Sequence, residues 1–347
     1  MNDQNPMRAM WRHRLTWPLV TLALLLALNA AFNPGFLHIE VRGGHLYGSL
    51  IDILNRAAPL VLVSLGMTLV IATRGIDISV GAVVAIAAAM AAWMIGGDVS
   101  GNVSRFPLPL AILGALGIAL LCGLWNGALV ARIGMQPIIA TLILMVAGRG
   151  IAQLITDGQI VTIYYKPYFF LGSGYLLGLP FSLFVVAAVF AALLLAMNRS
   201  ALGLFIQAVG INPTAARVAG IQARRLVFGV YGFCGLCAGI AGLLISANVK
   251  SADGNNAGQL MELDAILAVT LGGTALTGGR FSLTGSLIGA LIIQTLTYAI
   301  YSLGVPPEIN LVVKAVVVFA VMLLQSPEFR ATLGAWVRRP ALEGAGQ

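Results

Sequence analysis

Ten apolar stretches recur along the chain, and they constrain its fold more than any other feature. They lie at about 17–33, 57–73, 78–95, 107–131, 138–156, 180–197, 226–246, 263–277, 284–303 and 311–325. About 20 mostly apolar residues are needed for one membrane-spanning helix, and shorter stretches suit tilted or broken helices. The sequence therefore predicts an all-α, polytopic membrane protein with about ten transmembrane helices, some of them short or broken.

Composition excludes the soluble classes of protein. Hydrophobic residues make up 59% of the chain and charged residues only 9%, against roughly 25% in a soluble domain. So few charges cannot cover the surface of a soluble fold of this length. The net charge of +8 is not gathered on a basic face or an aromatic binding module, so the predicted surroundings are a lipid bilayer and not nucleic acid.

Residues that could bind a metal or take part in catalysis are few and do not cluster in the sequence. The three cysteines lie inside apolar stretches, and the three histidines lie near the N-terminal end. No pattern typical of a metal site, a catalytic triad or a pair of intramembrane carboxylates appears. We therefore expect no metal, no cofactor and no catalytic residue in this chain.

Basic residues indicate the orientation. With the N-terminus inside, most of the 20 Lys and Arg residues fall on the cytoplasmic side, and two basic termini favour an even number of spans. We expect a cytoplasmic tail at 1–16, a transmembrane domain at 17–325 and a second cytoplasmic tail at 326–347. The Arg-rich start and the run from Leu19 to Ala31 also suit a signal peptide, although Pro18 and the lack of a small-residue cleavage site favour a retained span.

One cytoplasmic connection, 198–225, has the features of a short surface helix. Asn212 is a favoured N-cap, Pro213 fits the first helical turn, and Gly220 suits a left-handed stop. This helix is either part of an ordinary loop or a docking element for a cytoplasmic partner.

Two further segments interrupt the apolar pattern on the predicted inner side. The segment Thr73–Gly81 holds Arg74, Asp77 and Ser79 between two spans, which predicts a tight reversal of the chain or a broken helix. We expect Asp77 to cap the next helix and Arg74 to pair with Asp77. Leu271–Arg280 lacks the Lys-Ser/Thr of a nucleotide-binding loop, so it reads as the end of a half-helix. We expect broken-helix or gating roles for Arg74, Asp77, Gly272, Gly273, Gly278 and Gly279.

Polar residues at predicted spans and an outer loop are candidates for the transport pathway, because polar groups in lipid usually face a cavity or another helix. The pathway candidates are Asn126, Gln153, Asn248 and Gln294. Each could instead make a helix-to-helix hydrogen bond. The amide-rich outer stretch Ser251–Gly258 suits sugar hydroxyls, docking of a soluble partner or a solvated loop.

The chain resembles the permease subunits of bacterial ribose-type sugar ABC importers. The resemblance covers about 50–326 and rests on Ile53-Leu-Asn-Arg-Ala-Ala-Pro59, Gly75-Ile-Asp-Ile-Ser-Val-Gly81, the 208–221 helix and Leu271–Arg280. Within that family, four segments look most like the galactofuranose permeases: Ser49–Pro59, Thr141–Thr156, Ala252–Val269 and Pro306–Val318. Arg74 departs from the family, whose members often carry glycine there.

The resemblance implies an ABC importer permease fold in the bacterial inner membrane, with both termini cytoplasmic. It also implies three protein partners: an ABC ATP-binding subunit, a periplasmic sugar-binding protein and a second permease subunit, identical or different. The 208–221 segment would be the coupling helix, with contacts to the ATPase from Gly210, Asn212, Pro213, Ala215, Ala216, Arg217 and Gly220. The alternative is a secondary transporter or facilitator that works without ATP.

Overall fold

The fold is known from a computed structural model that describes residues 15–96, 99–304 and 306–325. Thirteen helices follow in chain order within this part of the chain: α1 Thr16–Phe32, α2 Ser49–Ala72, α3 Val80–Ile95, α4 Leu108–Ala128, α5 Pro137–Ile155, α6 Lys166–Ser173, α7 Phe181–Arg199, α8 Leu202–Ile211, α9 Pro213–Val218, α10 Ala223–Val249, α11 Met261–Leu271, α12 Leu283–Ser302 and α13 Pro307–Gln325. A π-helical turn, Leu129–Ile133, extends α4.

Each of the ten predicted apolar stretches contains one helix, so the predicted all-α membrane fold is confirmed. Among the described residues, six helices are long and apolar enough to cross a membrane: α2, α4 with its π turn, α5, α7, α10 and α12. The stretch 263–277 is represented by α11, which has only 11 residues. The predicted tails lie outside the described residues, apart from Leu15 and Thr16.

Short antiparallel strand pairs gather at one end of the bundle, which we name the outer end. The strands are β1 Glu40–Arg42, β2 His45–Tyr47, β3 Val161–Thr162, β4 Tyr175–Leu176, β5 Leu179–Pro180 and β6 Ser251–Ala252. They pair as β1 with β2, β3 with β6 and β4 with β5. The opposite end, which carries α9, is the inner end.

Helices α2, α3 and α10 form the buried centre. From Ala57 to Ala72 every residue of α2 is buried, and most of α3 is buried too. Small residues allow this packing, because a Cβ built on Gly235 of α10 would lie 2.5 Å from the carbonyl oxygen of Ala119 in α4.

One span is discontinuous. After β6 the chain runs without regular helix from 253 to 260 and then enters α11. Turn hydrogen bonds satisfy some carbonyl oxygens of this stretch, such as that of Asp253, which accepts from the N–H of Ala257 at 3.0 Å, and Arg149 of α5 donates to the carbonyl oxygen of Ala257 at 2.6 Å. A non-helical stretch within a membrane needs such internal partners, since lipid supplies none. We name residues 253–271 the broken span.

Candidate functional site

The predicted surface helix has the predicted geometry. The Asn212 side chain accepts hydrogen bonds from the backbone N–H groups of Thr214 and Ala215, each at 3.0 Å. Gly220 has a φ of +85°, so it supplies the left-handed stop. All side chains of α9 are exposed except that of Ala216. The arrangement presents a rigid, capped helix at the inner end, with Arg217 on its surface.

A second helix in the same connection was not predicted. Helix α8 precedes α9 directly and buries Gly203, Ile206, Val209 and Gly210. The signal for it is an apolar run between Arg199 and Asn212 that is too short for a span. Because α8 packs against the bundle and leads directly into α9, it holds the start of α9 in place.

The start of α9 is tied to two distant segments at a place that we name the coupling junction. Arg74 donates from Nη2 to the carbonyl oxygen of Ile211 at 2.6 Å, and the N–H of Gly279 donates to the carbonyl oxygen of Ala72 at 2.8 Å. A Cβ on Gly210 would lie 1.9 Å from that same oxygen, so only glycine fits there. The junction therefore joins the end of α2, the end of α8 and the glycine loop that follows α11.

The predicted pairing of Arg74 with Asp77 is wrong, because Arg74 turns towards Ile211. Both Arg74 and Gly278 have a positive φ, of +64° and +83° respectively. A Cβ built on Gly278 would lie 2.5 Å from the Cγ of Arg74. Gly279 also has a positive φ, of +91°. The backbone needs these glycines because a side chain at either position would be strained.

Asp77 forms a buried cluster with Ser79 and Asn126. One Asp77 carboxylate oxygen accepts from the backbone N–H and the hydroxyl of Ser79, at 3.0 and 2.6 Å, and from the Asn126 amide at 3.3 Å. Asn126 also donates to the Ser79 hydroxyl at 2.8 Å. The cluster fixes the reversal before α3 against α4, so Asn126 lies in a structural contact between helices.

The glycine pair that follows α11 is a close packing point. Helix α11 ends at Leu271, and a Cβ on Gly272 would lie 2.3 Å from the carbonyl carbon of Gly285 in α12. Gly273 has a φ of +84° and begins the turn away from α11. Both glycines thus lie where helix α11 ends.

A cavity of about 740 Å³ opens towards the outer end of the bundle. Two of the predicted pathway residues, Asn248 of α10 and Gln294 of α12, line it. Its other polar residues are Asp52, Asn55, Arg56, Ser182, Thr297, Tyr298, Tyr301 and Ser302. We name this space the outer cavity.

Sequence reasoning missed the contribution of α2 to the outer cavity. The helix begins at Ser49, well before the apolar stretch that starts at 57, and its first two turns carry Asp52, Asn55 and Arg56. Their spacing of three and four residues places them on one helical face, and this was the signal available. Ser182 donates to the Asn55 side chain and fixes it.

Gln153, the remaining predicted pathway residue, contacts the broken span. Its amide donates to the Asn255 side chain at 2.6 Å. Neither Gln153 nor Asn126 is among the residues that line the outer cavity. The four candidates therefore divide into two cavity residues and two residues that hold other parts of the fold.

An ion pair ties the broken span to the last helix. Lys314 of α13 lies 2.6 Å from a carboxylate oxygen of Asp264 in α11. The two side chains are 13% and 26% exposed, respectively, so water screens the pair only in part.

Comparison with known proteins places this fold and these motifs in one family. The family described as "Branched-chain amino acid transport system / permease component" matches residues 49–322. The galactofuranose transporter permease protein YtfT of Escherichia coli is 51% identical over 92% of this chain and 93% of its own length.

Two further relatives cover most of the chain as well. The fructose import permease protein FruF of Bifidobacterium longum is 40% identical, over 95% of this chain and 92% of its own. The ribose import permease protein RbsC of Escherichia coli is 35% identical, over 89% and 92%. The predicted resemblance to ribose-type permeases is thus confirmed, and the chain belongs to this family of transport-system permease components.

Proposed function

We propose that this chain is the transmembrane permease subunit of a bacterial sugar ABC importer, which passes a monosaccharide across the inner membrane by alternating access. Galactofuranose is the proposed sugar, because the relative that is 51% identical carries that substrate in its name. ATP hydrolysis takes place on a partner subunit. The chain itself performs no chemistry.

The coupling junction is the observation that carries this proposal. Closure of the ATPase pair around ATP moves α9, whose N-cap follows Ile211 directly. The Arg74 hydrogen bond to Ile211 and the Gly279 hydrogen bond to Ala72 pass that movement to α2 and to the glycine loop. Rigid, packed contacts of this kind favour a switch between two arrangements over gradual bending.

The outer cavity is the proposed entrance for the sugar. Its amide and hydroxyl groups, among them those of Asn248, Gln294 and Tyr298, can exchange hydrogen bonds with sugar hydroxyls as water does. We assign Asn248 and Gln294 to the pathway and propose the Asp77 cluster and the glycines 272, 273, 278 and 279 as the parts that hold or bend the moving segments.

Three protein partners complete the importer. An ABC ATP-binding subunit docks on α9, a periplasmic sugar-binding protein delivers sugar at the outer end, and a second permease subunit faces this one. The proposed importer has both termini of this chain in the cytoplasm.

Uptake into reconstituted vesicles tests the proposal. The chain would be co-expressed with an ABC ATP-binding subunit and a sugar-binding protein from its own genome, and uptake of labelled galactofuranose, ribose and fructose would be measured. We expect uptake that requires ATP and the binding protein. Uptake by the chain alone, driven by an ion gradient, would instead establish the secondary transporter.

The variant Gly220→Pro tests the coupling role separately. The φ of +85° at Gly220 is closed to proline, whose ring holds φ near −65°, so α9 must be distorted. We expect loss of transport and of sugar-stimulated ATP hydrolysis in an assembled complex. Unchanged transport and stimulation would show that α9 is not the coupling element.

A further inference from the structure

A second, smaller recess continues inward from the outer cavity. Its volume is about 250 Å³, and four residues, Arg56, Pro59, Ile245 and Gln294, line both spaces. The broken span forms the side of the recess that the outer cavity does not share, and it contributes Asn256, Gly258, Gln259, Met261 and Asp264. Leu60 of α2 completes the lining. The two spaces are therefore adjacent, and the broken span lies beside the residues that they share.

The side chains of this recess have hydrogen-bonding capacity to spare. Those of Arg56, Gln259 and Gln294 make no hydrogen bond or ion pair within the described part of the chain, and Asn256 uses its amide N–H on Asp253 and keeps its oxygen. Guanidinium and amide groups together offer donors and acceptors on an otherwise apolar floor of Pro59, Leu60, Ile245 and Met261. This mixture suits a small polyol with hydroxyl edges and C–H faces.

The charges near the recess balance. Asp264 already pairs with Lys314, and Arg56 lies one helical turn after Asp52 on α2. The lining of the recess itself carries one base, Arg56, and one acid, Asp264, so the formal charge of the lining is zero. The balance favours an uncharged ligand.

We propose that the recess at the broken span is a second binding station for one neutral monosaccharide, held by Arg56, Gln259 and Gln294 and reached from the outer cavity. This inference rests on the proposed function and adds to it a binding site within the chain. Because Asn256, Gln259, Met261 and Asp264 all belong to the broken span, movement of that span changes the station directly. Sugar binding and the inward step are thereby linked at one segment.

Protection of an introduced cysteine tests the station. The full-length variants Gln259→Cys and Asn248→Cys would be placed in lipid nanodiscs and treated with a small charged methanethiosulfonate, and labelling at each position would be read by mass spectrometry. Galactose, ribose and the sugar acid galacturonate are the probes. Gln159→Cys, a glutamine of the outer loop that lines neither space, is the matched control.

We expect galactose or ribose to slow labelling at 259 and 248 and to leave 159 unchanged. Protection at 248 alone would overturn the second station while the proposed function stands. Stronger protection by galacturonate would overturn the neutral ligand class. Protection at neither position would overturn both the station and the proposed entrance.

Transport kinetics give an independent reading. Gln259→Ala removes one hydrogen-bonding side chain and should lower the rate of sugar uptake about 3- to 10-fold in the reconstituted importer. Gln159→Ala should leave that rate unchanged. Equal rates for the two variants would contradict the station even if the cysteine variants had failed to fold.

Discussion

The guanidinium of Arg74 donates a hydrogen bond of 2.6 Å to the carbonyl oxygen of Ile211, although 137 residues separate the two in sequence. Ile211 is the last residue before the N-cap of α9, and Arg74 follows the end of α2. The contact thus connects the proposed docking helix with the buried centre of the bundle.

Arg74→Ala should therefore separate ATP hydrolysis from transport. A charge-assisted hydrogen bond of this kind contributes about 1.5–3 kcal/mol when buried, and Arg74 is exposed, so we expect roughly a threefold loss of sugar moved per ATP. Uptake and ATPase rate would be measured on the same vesicles. Arg199→Ala, at the exposed end of α7, is the control and should keep the normal ratio. If Arg74→Ala left the amount of sugar moved per ATP unchanged, the coupling junction would take no part in coupling ATP hydrolysis to transport.

Gly210→Ala should destabilise the protein, because its new Cβ would lie 1.9 Å from the Ala72 carbonyl oxygen and backbone would have to shift. Overpacking of this kind costs about 1–3 kcal/mol. Thermal unfolding in detergent would measure the effect. Gly229→Ala is the matched control, since no atom lies within 4 Å of its Cβ and α10 is helical there. An equal unfolding temperature for both variants would contradict the packing described for α8.

Asn212→Ala should weaken α9 by removing the acceptor for two backbone N–H groups. Loss of an N-cap costs about 1 kcal/mol, so a larger fraction of the docking helix would be frayed. We expect weaker ATPase binding to the permease, measured by co-purification and by stimulated ATP hydrolysis. Asn212→Ser keeps a capping oxygen and should restore both, whereas failure of serine to restore them would assign Asn212 a direct contact with the partner.

Lys314→Ala should destabilise the contact between α11 and α13 by leaving Asp264 half-buried without its partner. Coupling energies between directly paired residues are about 0.5–3 kcal/mol. The two single alanine variants and the double variant would be compared by thermal unfolding. We expect the double variant to be more stable than the sum of the single losses predicts. Simple additivity would show that the ion pair contributes little.

Apolar length and local capping rules were enough to predict the ten helices of the apolar stretches and the shape of α9, but not the short helices α6 and α8. Each apolar stretch became a helix because a membrane leaves the backbone few alternatives, and Asn212, Pro213 and Gly220 act through neighbours only a few residues away. Such local determinants can be read directly from a sequence.

Contacts between distant segments could not be predicted in the same way. Arg74 has an acid three residues later, yet it bonds to Ile211, because the reversal points its side chain away from Asp77 and towards α8. Asn126 and Asn248 look alike in sequence, but the packing of α4 on α3 buries the first, while the second faces the outer cavity. Only the arrangement of helices separates these outcomes.

The coupling junction also bears on how the protein is made. Its three parts, near residues 72, 210 and 279, leave the ribosome in that order, so the seat of α9 is incomplete until the glycine loop has been synthesised. A nascent chain that ends earlier carries α9 without its full support. If α9 docks an ATPase, as we propose, that partner would meet a finished docking surface only after most of the chain has been synthesised, which would delay assembly of the importer until its transport pathway exists.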